Sequence, residues 1–506
     1  MKPQSLPRWC CVLCAAPLYA YVFMFAAAAD TVAISAAKTV AETAADGVIE
    51  RSLKAGLRDN GGVPRATPLN HMVKGRTIDV TRYGADIKDS ATDDRPAIEA
   101  ALNGAKPGDE IYFPNGVYNL NSPATNHPNV HILLRSGVNI RGESEAAVLL
   151  KSNFDVGLGS RPDTVMRGQD VSDILVSNLS ITSTWDRRFP TSPRSQNPDR
   201  GGPMYAIAIE AKADANQRIT FEAVRVERYA RMGILVGKGS SDVVIRRCHA
   251  SNATDIGGGG AGYGFVLQGR GHQSALANPY LGTSDDNYFN VIEYSTANGP
   301  YIRHGALIQY WAHHNVIRHS TFDQNVYDAI DLHGEDEYLN EVAHNTITNT
   351  SAGAGIGLGN SGAGHDKTGP WNWIHHNTIR GSMRGMTVEY GTADNLIEDN
   401  IITGNNSYAG QVGIALGSVK GIVIRRNQII DNNADGFSAF RFFMNRAEGE
   451  EPAGSPANNR IDANIIRGNA GAKSRAFLVE AESGGNVIQK NIVGGNTDNS
   501  VPKSGI

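Results

Sequence analysis

The sequence predicts an all-β chain wound as a single-stranded parallel β-helix, a solenoid with a short N-terminal capping helix. Three observations predict it. One six-residue pattern recurs along the C-terminal half. Each recurrence is accompanied by a further short apolar run, several with period two. And 56 of the 506 residues are Gly, against a usual share of roughly 7%. Pro is ordinary at 21 and charged residues are sparse at 19%, which excludes collagen-like and disordered compositions. The net charge of −4 argues against a nucleic-acid or anionic-membrane partner, which would call for a basic excess.

The elements follow in chain order. Lys2 and Arg8 flank the start of an apolar run from about Trp9 to Phe25, and Ala26–Ala29 offers a cleavage site. Residues 1–29 read as a secretory signal, so the expected location is secreted or periplasmic, with no membrane partner after cleavage. Cys10, Cys11 and Cys14 leave with the signal. Only Cys248 remains, and no intrachain disulfide is expected. Residues 30–76, rich in Ala and polar residues, read as a linker or loose cap, and 77–506 as the β-helix domain.

Ile78-Asp79-Val80, Tyr83-Gly84-Ala85 and Ile111-Tyr112-Phe113-Pro114 flank a helical stretch. Asp94 is placed to cap it, with Pro96 in its first turn. Ile98, Ala101 and Leu102 give it one apolar face, suited to closing the open end of a solenoid core. These residues resemble the opening of the pectate-lyase-like right-handed β-helix superfamily. The resemblance implies right-handed coils and, among its members, exopolysaccharide enzymes and phage tailspikes.

The repeat itself reads apolar, two mostly polar, Asn, any, apolar. It appears as Val342–Ile347 and returns at Ile374–Ile379, Ile397–Ile402, Ile424–Ile429, Ile461–Ile466 and Ile488–Val493. The Asn slot holds Asn345, Asn377, Asn400, Asn427, Asn464 and Asn491; upstream it holds Ser320, Ser295, Cys248 and, by extension, Asn178. An Asn held between apolar residues can bond the coil backbone and the Asn stacked above it, about 4.8 Å away. Gly233, Gly264, Gly305, Gly355, Gly385 and Gly413 are expected at tight turns, where the absence of Cβ helps.

Aligning the second strands gives one outward row: Glu210, Gly237, Gln268, Gln309, His333, Gly359 and Glu389. Asp331 and Thr387 fall two residues earlier. Tyr263, Arg303, His304 and Asp328 stand at the strand entrances, and Lys238, Arg270 and Tyr310 just beyond the ends. Gly237, Gly357 and Gly359 would leave a groove. Asp331 and His333 share one side of a strand, which suits a His oriented for proton transfer. The candidate catalytic residues are therefore Arg303, His304, His333, Asp331, Tyr263 and Lys238. The candidate substrate-binding residues are Arg270, Gln268, Gln309, Tyr310, Asp328, Glu335 and Glu389, with Trp185 and Arg188 from a loop over 182–204. A second loop, 269–287, carries His272, Tyr280, Asp285 and Asp286. Aromatic rings stack on sugars, and Arg pairs uronate carboxylates.

Other chemistries fit less well. Gly257–Gly260 precedes a strand rather than a helix, so it is not a phosphate cradle. His313-His314, His344 and His375-His376 lie in turns of different coils and read mostly as polar surface positions. The acidic stretches Asp285-Asp286 and Glu335–Glu337 offer oxygen ligands for Ca²⁺, but no complete set; no cofactor is otherwise implied.

Arg303-His304-Gly305 resembles the Arg-His-Gly of β-helix lyases acting on alginate and dermatan-type chains. That resemblance implies an Arg acid near the leaving oxygen, an assisting His, and β-elimination on an acidic polysaccharide. The family's Lys base and Ca²⁺-binding acids are missing from the preceding coil, which leaves His333, Tyr263 and Lys238 as base. A glycoside hydrolase using Asp328, Asp331 and Glu335 is the alternative. A uronan C5-epimerase is another, with Asp331-Leu332-His333 where the resemblance expects Asp-Pro-His. A non-catalytic carbohydrate-binding solenoid would predict bland outward rows. The sequence leaves the oligomeric state open.

Overall fold

The computed structural model describes residues 75–155, 162–257, 260–270, 286–359, 367–408, 411–445, 454–481 and 484–503. The expected signal segment, most of the linker, and His272, Tyr280 and Asp285 lie outside these residues. Among the described residues no helix is long and apolar enough to cross a membrane.

Strand pairing is parallel throughout the two sheets, one of 26 strands and one of 12. A typical coil contributes two three-residue strands to the larger sheet, such as Val316–Arg318 and Thr321–Asp323, then one strand to the smaller, such as Ile330–Leu332. Inward positions stack with identical chemistry. Ile245, Ile292, Ile317, Val342, Ile374, Ile397, Ile424, Ile461 and Ile488 form one unbroken row. Each is almost fully buried, worth roughly 1.5–3 kcal/mol per side chain, so the core is a column rather than a centre.

The Asn prediction holds in detail. Asn345 donates from its backbone N and its Nδ2 to Asn377 Oδ1, both at 3.0 Å, and from Nδ2 to Ile317 O at 2.9 Å. The bonds continue through Asn400, Asn427, Asn464 and Asn491. Two further ladders stand five residues to either side: Asn340–Asn372–Asn395 and Asn405–Asn432–Asn469–Asn496. The residue before each central rung takes a left-handed conformation, as in His319 (φ 49), His344 (φ 58) and His376 (φ 53). Upstream the reading shifts by one. Asn178 is itself the left-handed residue (φ 55), and the pairing of Val224 with Leu179 puts Leu179 in the slot.

A nine-residue helix, α1 (Arg95–Asn103), buries Ile98, Ala101 and Leu102 as predicted. Asp94 precedes it but does not cap it through its side chain. Its carboxylate instead accepts from the backbone N of Asp86 and Asn119 at 2.6 and 2.7 Å, tying two chain segments to the helix start. The glycines at strand entries also have a different reason. Gly305 does not have positive φ; a Cβ there would come within 2.4 Å of Phe322 Cδ1 and 2.7 Å of Asn325 Oδ1. It is Gly because its Cα faces the packed core. The Cys248 thiol is buried and free.

Candidate active site

The outward row expected from the sequence exists in register. Gln268 pairs with Gln309, and the Ile308–Leu332, Leu332–Leu358 and Leu358–Val388 pairs carry the row to His333, Gly359 and Glu389. Asp331 pairs with Gly357, and Gly357 with Thr387. Tyr263 pairs with His304 at the strand entrance. The residue spacing of the repeat therefore delivers Tyr263, His304, Asp331 and His333 to one patch on adjacent coils.

Asp331 is the centre of that patch. Its Oδ2 accepts from His333 Nδ1 at 2.6 Å and lies 3.4 Å from His304 Nδ1. The second oxygen, Oδ1, is buried with no hydrogen-bond partner. His304 Nδ1 is 3.0 Å from the backbone carbonyl of Asp328. A carbonyl only accepts, so Nδ1 carries the proton and Nε2 the lone pair. Tyr263 sets its ring edge-on to His304 at 5.1 Å, and the His304 and His333 rings are 5.9 Å apart.

One carboxylate thus serves two imidazoles, and burial divides them. His304 is pushed down to about 3, because burial outweighs the pull of Asp331 despite their proximity. Burial also opposes charge on His333, but the Asp331 carboxylate, by charge and hydrogen bond, lifts it to about 9. At neutral pH the pair is one neutral imidazole beside one imidazolium. Asp331 itself is held low, by His333 and then His304 against burial. Burial, then the Asp331 charge, pushes Asp328 up to about 7. Burial likewise raises Glu335 to about 7 and the Tyr263 hydroxyl to about 12. Environments that drive neighbouring pKa values apart separate an acid from a base.

The remaining site residues divide. Gln309 donates to Gln268 Oε1 at 2.5 Å, and Glu335 Oε2 accepts from the backbone N of the exposed Tyr310 at 3.1 Å. Glu389 sits half-buried in the row, two strands past His333. Arg270 is exposed, and Arg188 is exposed with its Nε on Asp199 Oδ2 at 2.8 Å.

Three expectations are corrected. Arg303 is not poised as an acid. Its Nη1 donates to the backbone carbonyls of Pro193 and Ile256 at 2.9 and 2.7 Å, and its guanidinium lies 4.3 Å from the Tyr327 ring centre; it ties the 182–204 loop to the solenoid. Trp185 offers no face to a sugar. It is 4% exposed, donates from Nε1 to Asp199 O at 2.7 Å, and packs against Phe189, which stacks on Tyr301. Lys238 follows Met232–Val236, three strands from Asp331 in the sheet, roughly 14 Å across it, and does not join the cluster.

The gaps in the row are also filled. A Cβ on Gly357 would lie 2.6 Å from Asp328 Oδ2, and one on Gly237 2.5 Å from Glu210 Cγ. These glycines make room for neighbouring carboxylates rather than for a flat chain. Gly357 is a site residue whose role the sequence did not disclose, and Tyr327, under Arg303 and beside His304, is another.

Ca²⁺ finds no cage in the acidic run. Glu337 is fully buried, and both its oxygens accept from the backbone N of Glu335, at 3.0 and 3.2 Å. His304, Asp328 and Asp331 place one donor atom each within 4.8 Å of one another. Three donors, one of them nitrogen, fall short of the six to eight oxygens Ca²⁺ takes.

This architecture is a parallel β-helix, and two family models match parts of it. Residues 77–284 match the family model described as rhamnogalacturonase A/epimerase, pectate lyase-like, and residues 338–505 match the right-handed β-helix region model. No curated protein matches the chain in sequence. Among solved structures, the catalytic unit of a thermostable α-1,3-glucanase from Streptomyces thermodiastaticus is 15% identical, with 87% of this chain and 72% of that one covered and a TM-score of 0.57. The surface adhesin PfbA of Streptococcus pneumoniae is 14% identical, with 79% and 91% covered and a TM-score of 0.52. The alginate lyase AlyGC is 15% identical, with 82% of this chain but 51% of that one covered and a TM-score of 0.50. At such identities the likeness is one of fold.

Proposed function

We propose that the chain is a secreted polysaccharide lyase that cleaves a uronic-acid-containing polymer by β-elimination. One observation carries this reading: a single buried carboxylate, Asp331, lies 3.4 Å from the His304 imidazole, which burial keeps neutral, and 2.6 Å from the His333 imidazole, which it favours as a cation. β-Elimination needs a base for the proton α to the uronate carboxylate, a cation at that carboxylate, and an acid for the leaving oxygen. His304 Nε2 takes the proton. The His333 imidazolium pairs with the substrate carboxylate as negative charge builds there. The carbon–oxygen bond at the β position breaks, a carbon–carbon double bond forms, and the leaving oxygen takes the proton of the Tyr263 hydroxyl, which burial keeps protonated. The pectate-lyase-like family match and the likeness to an alginate lyase support this substrate class.

A hydrolase is the second reading, favoured by one observation. Asp328 and Glu335, both lifted to about 7, flank an ionised Asp331, which is the neutral-acid and carboxylate pairing that glycoside hydrolysis uses. An epimerase would share the proton abstraction and return the proton on the other face.

A panel of acidic polysaccharides incubated in D₂O separates the three. The lyase gives unsaturated uronate, seen as ultraviolet absorbance. New reducing ends without absorbance would replace it by the hydrolase. Deuterium retained next to the carboxylate with no cleavage would replace it by the epimerase.

A further inference from the structure

The solenoid's bends carry a second His cluster, which the proposed sugar chemistry does not use. Tyr294, His319, His344 and His376 occupy the left-handed bend position of successive coils. Their rings stack at 5.1, 5.0 and 4.8 Å between centroids. Stacking alone is a structural feature. At one end, however, the stack meets a further imidazole. His375 ends the strand Trp373–His375 and is 3% exposed, and its Nδ1 lies 2.8 Å from His376 Nδ1.

We propose that His344, His375 and His376 form a binding site for a divalent transition-metal cation of the Zn²⁺ class. Each of the three places one ring nitrogen within 4.8 Å of the others. His375 Nε2 lies 2.9 Å from Glu341 Oε1, and Glu341 is fully buried. A carboxylate acceptor there fixes the proton on Nε2 and turns the Nδ1 lone pair toward His376 and His344. That is the carboxylate–imidazole support that metal-binding histidines use. Without metal, one proton bridges the two Nδ1 atoms. A cation replaces that bridge once the His376 proton moves to Nε2. Zn–N distances of roughly 2.0–2.1 Å put two tetrahedral ligand nitrogens about 3.3 Å apart, a small opening from the 2.8 Å seen. His344 and His376 are exposed, so the ion enters from solvent and keeps a position open to water. Three imidazoles select Zn²⁺, Ni²⁺ or Cu²⁺ over Ca²⁺ or Mg²⁺.

The test is calorimetric titration of the untagged, chelator-stripped full chain with ZnCl₂. One saturable equivalent is expected. His344→Ala and His376→Ala, both at exposed positions, should each weaken it at least ~10-fold, and Glu341→Gln should weaken it by about 10-fold through His375. His319→Ala, in the same stack but outside the triad, should leave it unchanged. Four outcomes would overturn the assignment: no saturable Zn²⁺ binding; binding that survives His344→Ala and His376→Ala together; binding lost equally in His319→Ala; or binding lost in Asp331→Asn, which would place the ion in the sugar site. Circular dichroism of each variant checks that the solenoid has folded.

Discussion

The coils that carry Asn400 to Asn496 and the coils that carry His304 to Glu337 share one winding, yet the first stacks neutral amides in ladders while the second gathers titratable groups around one carboxylate. In the first region most buried Asn amides bond one another along the ladders, with Asn405 Nδ2 and Asn445 Nδ2 left without a partner. Asn427 accepts from Asn400, and its Nδ2 reaches Asn464 Oδ1 at 3.0 Å and Ile397 O at 3.0 Å. In the second, charges converge on Asp331, one of whose oxygens has no partner, and the Arg303 Nε is likewise buried without one. Buried polar groups are normally paired, and strongly perturbed titrating groups gather at working sites. The periodic region is built for stability and the irregular one for chemistry.

Substitutions should separate the two roles. The largest expected effect is at Asp331. Asp331→Asn keeps the side-chain volume and so the fold, but removes the charge that holds His333 as a cation. Turnover of the responsive polysaccharide should fall about 10²–10⁴-fold, with an unchanged circular dichroism spectrum. Gly357→Ala comes next. Its Cβ would displace the Asp328 carboxylate from 2.6 Å away, and displacements of this size near reacting groups cost up to about 10²-fold; steady-state kinetics would read it.

In the other region the outcome reverses. Asn427→Ala should cost about 1–3 kcal/mol for each buried partner it orphans, seen as a lower urea midpoint, while activity at a permissive temperature stays at the wild-type level. The smallest effect is expected at Arg303→Lys. An ammonium cannot hold Pro193 O and Ile256 O with the planar geometry of Arg. About 0.5–1.5 kcal/mol of stability should be lost, with a modest rise in KM.

What was legible in the sequence follows the same division. A fixed repeat transmits register, so Gln268, Gln309, His333 and Glu389 align from the sequence alone, and the central Asn ladder is visible there because Asn recurs between apolar residues, mostly Ile. The flanking ladders at Asn340 and Asn405 carry the same signal, five residues away on either side. Loop residues obey no period. Nothing in the local sequence says that Trp185 turns inward onto Asp199, or that Arg303 reaches Pro193, 110 positions away. Protonation is less legible still. His304 and His333 look alike in sequence, and only burial against one shared carboxylate drives them apart.

That division of two imidazoles by Asp331 is most directly tested by the pH dependence of kcat/KM. In the wild type the His333 cation is present below about 9 and lost as pH rises through that value, so activity should show an alkaline limb near pH 9. In Asp331→Asn the largest raising influence is gone, and only the weaker pull of Glu335 and Glu337 still opposes burial. The limb should then move from about 9 to clearly lower pH, toward the ordinary His value of roughly 6.5. A limb that stays near 9 in the variant, or is absent in the wild type, would contradict the assignment of His333 as a cation held by Asp331.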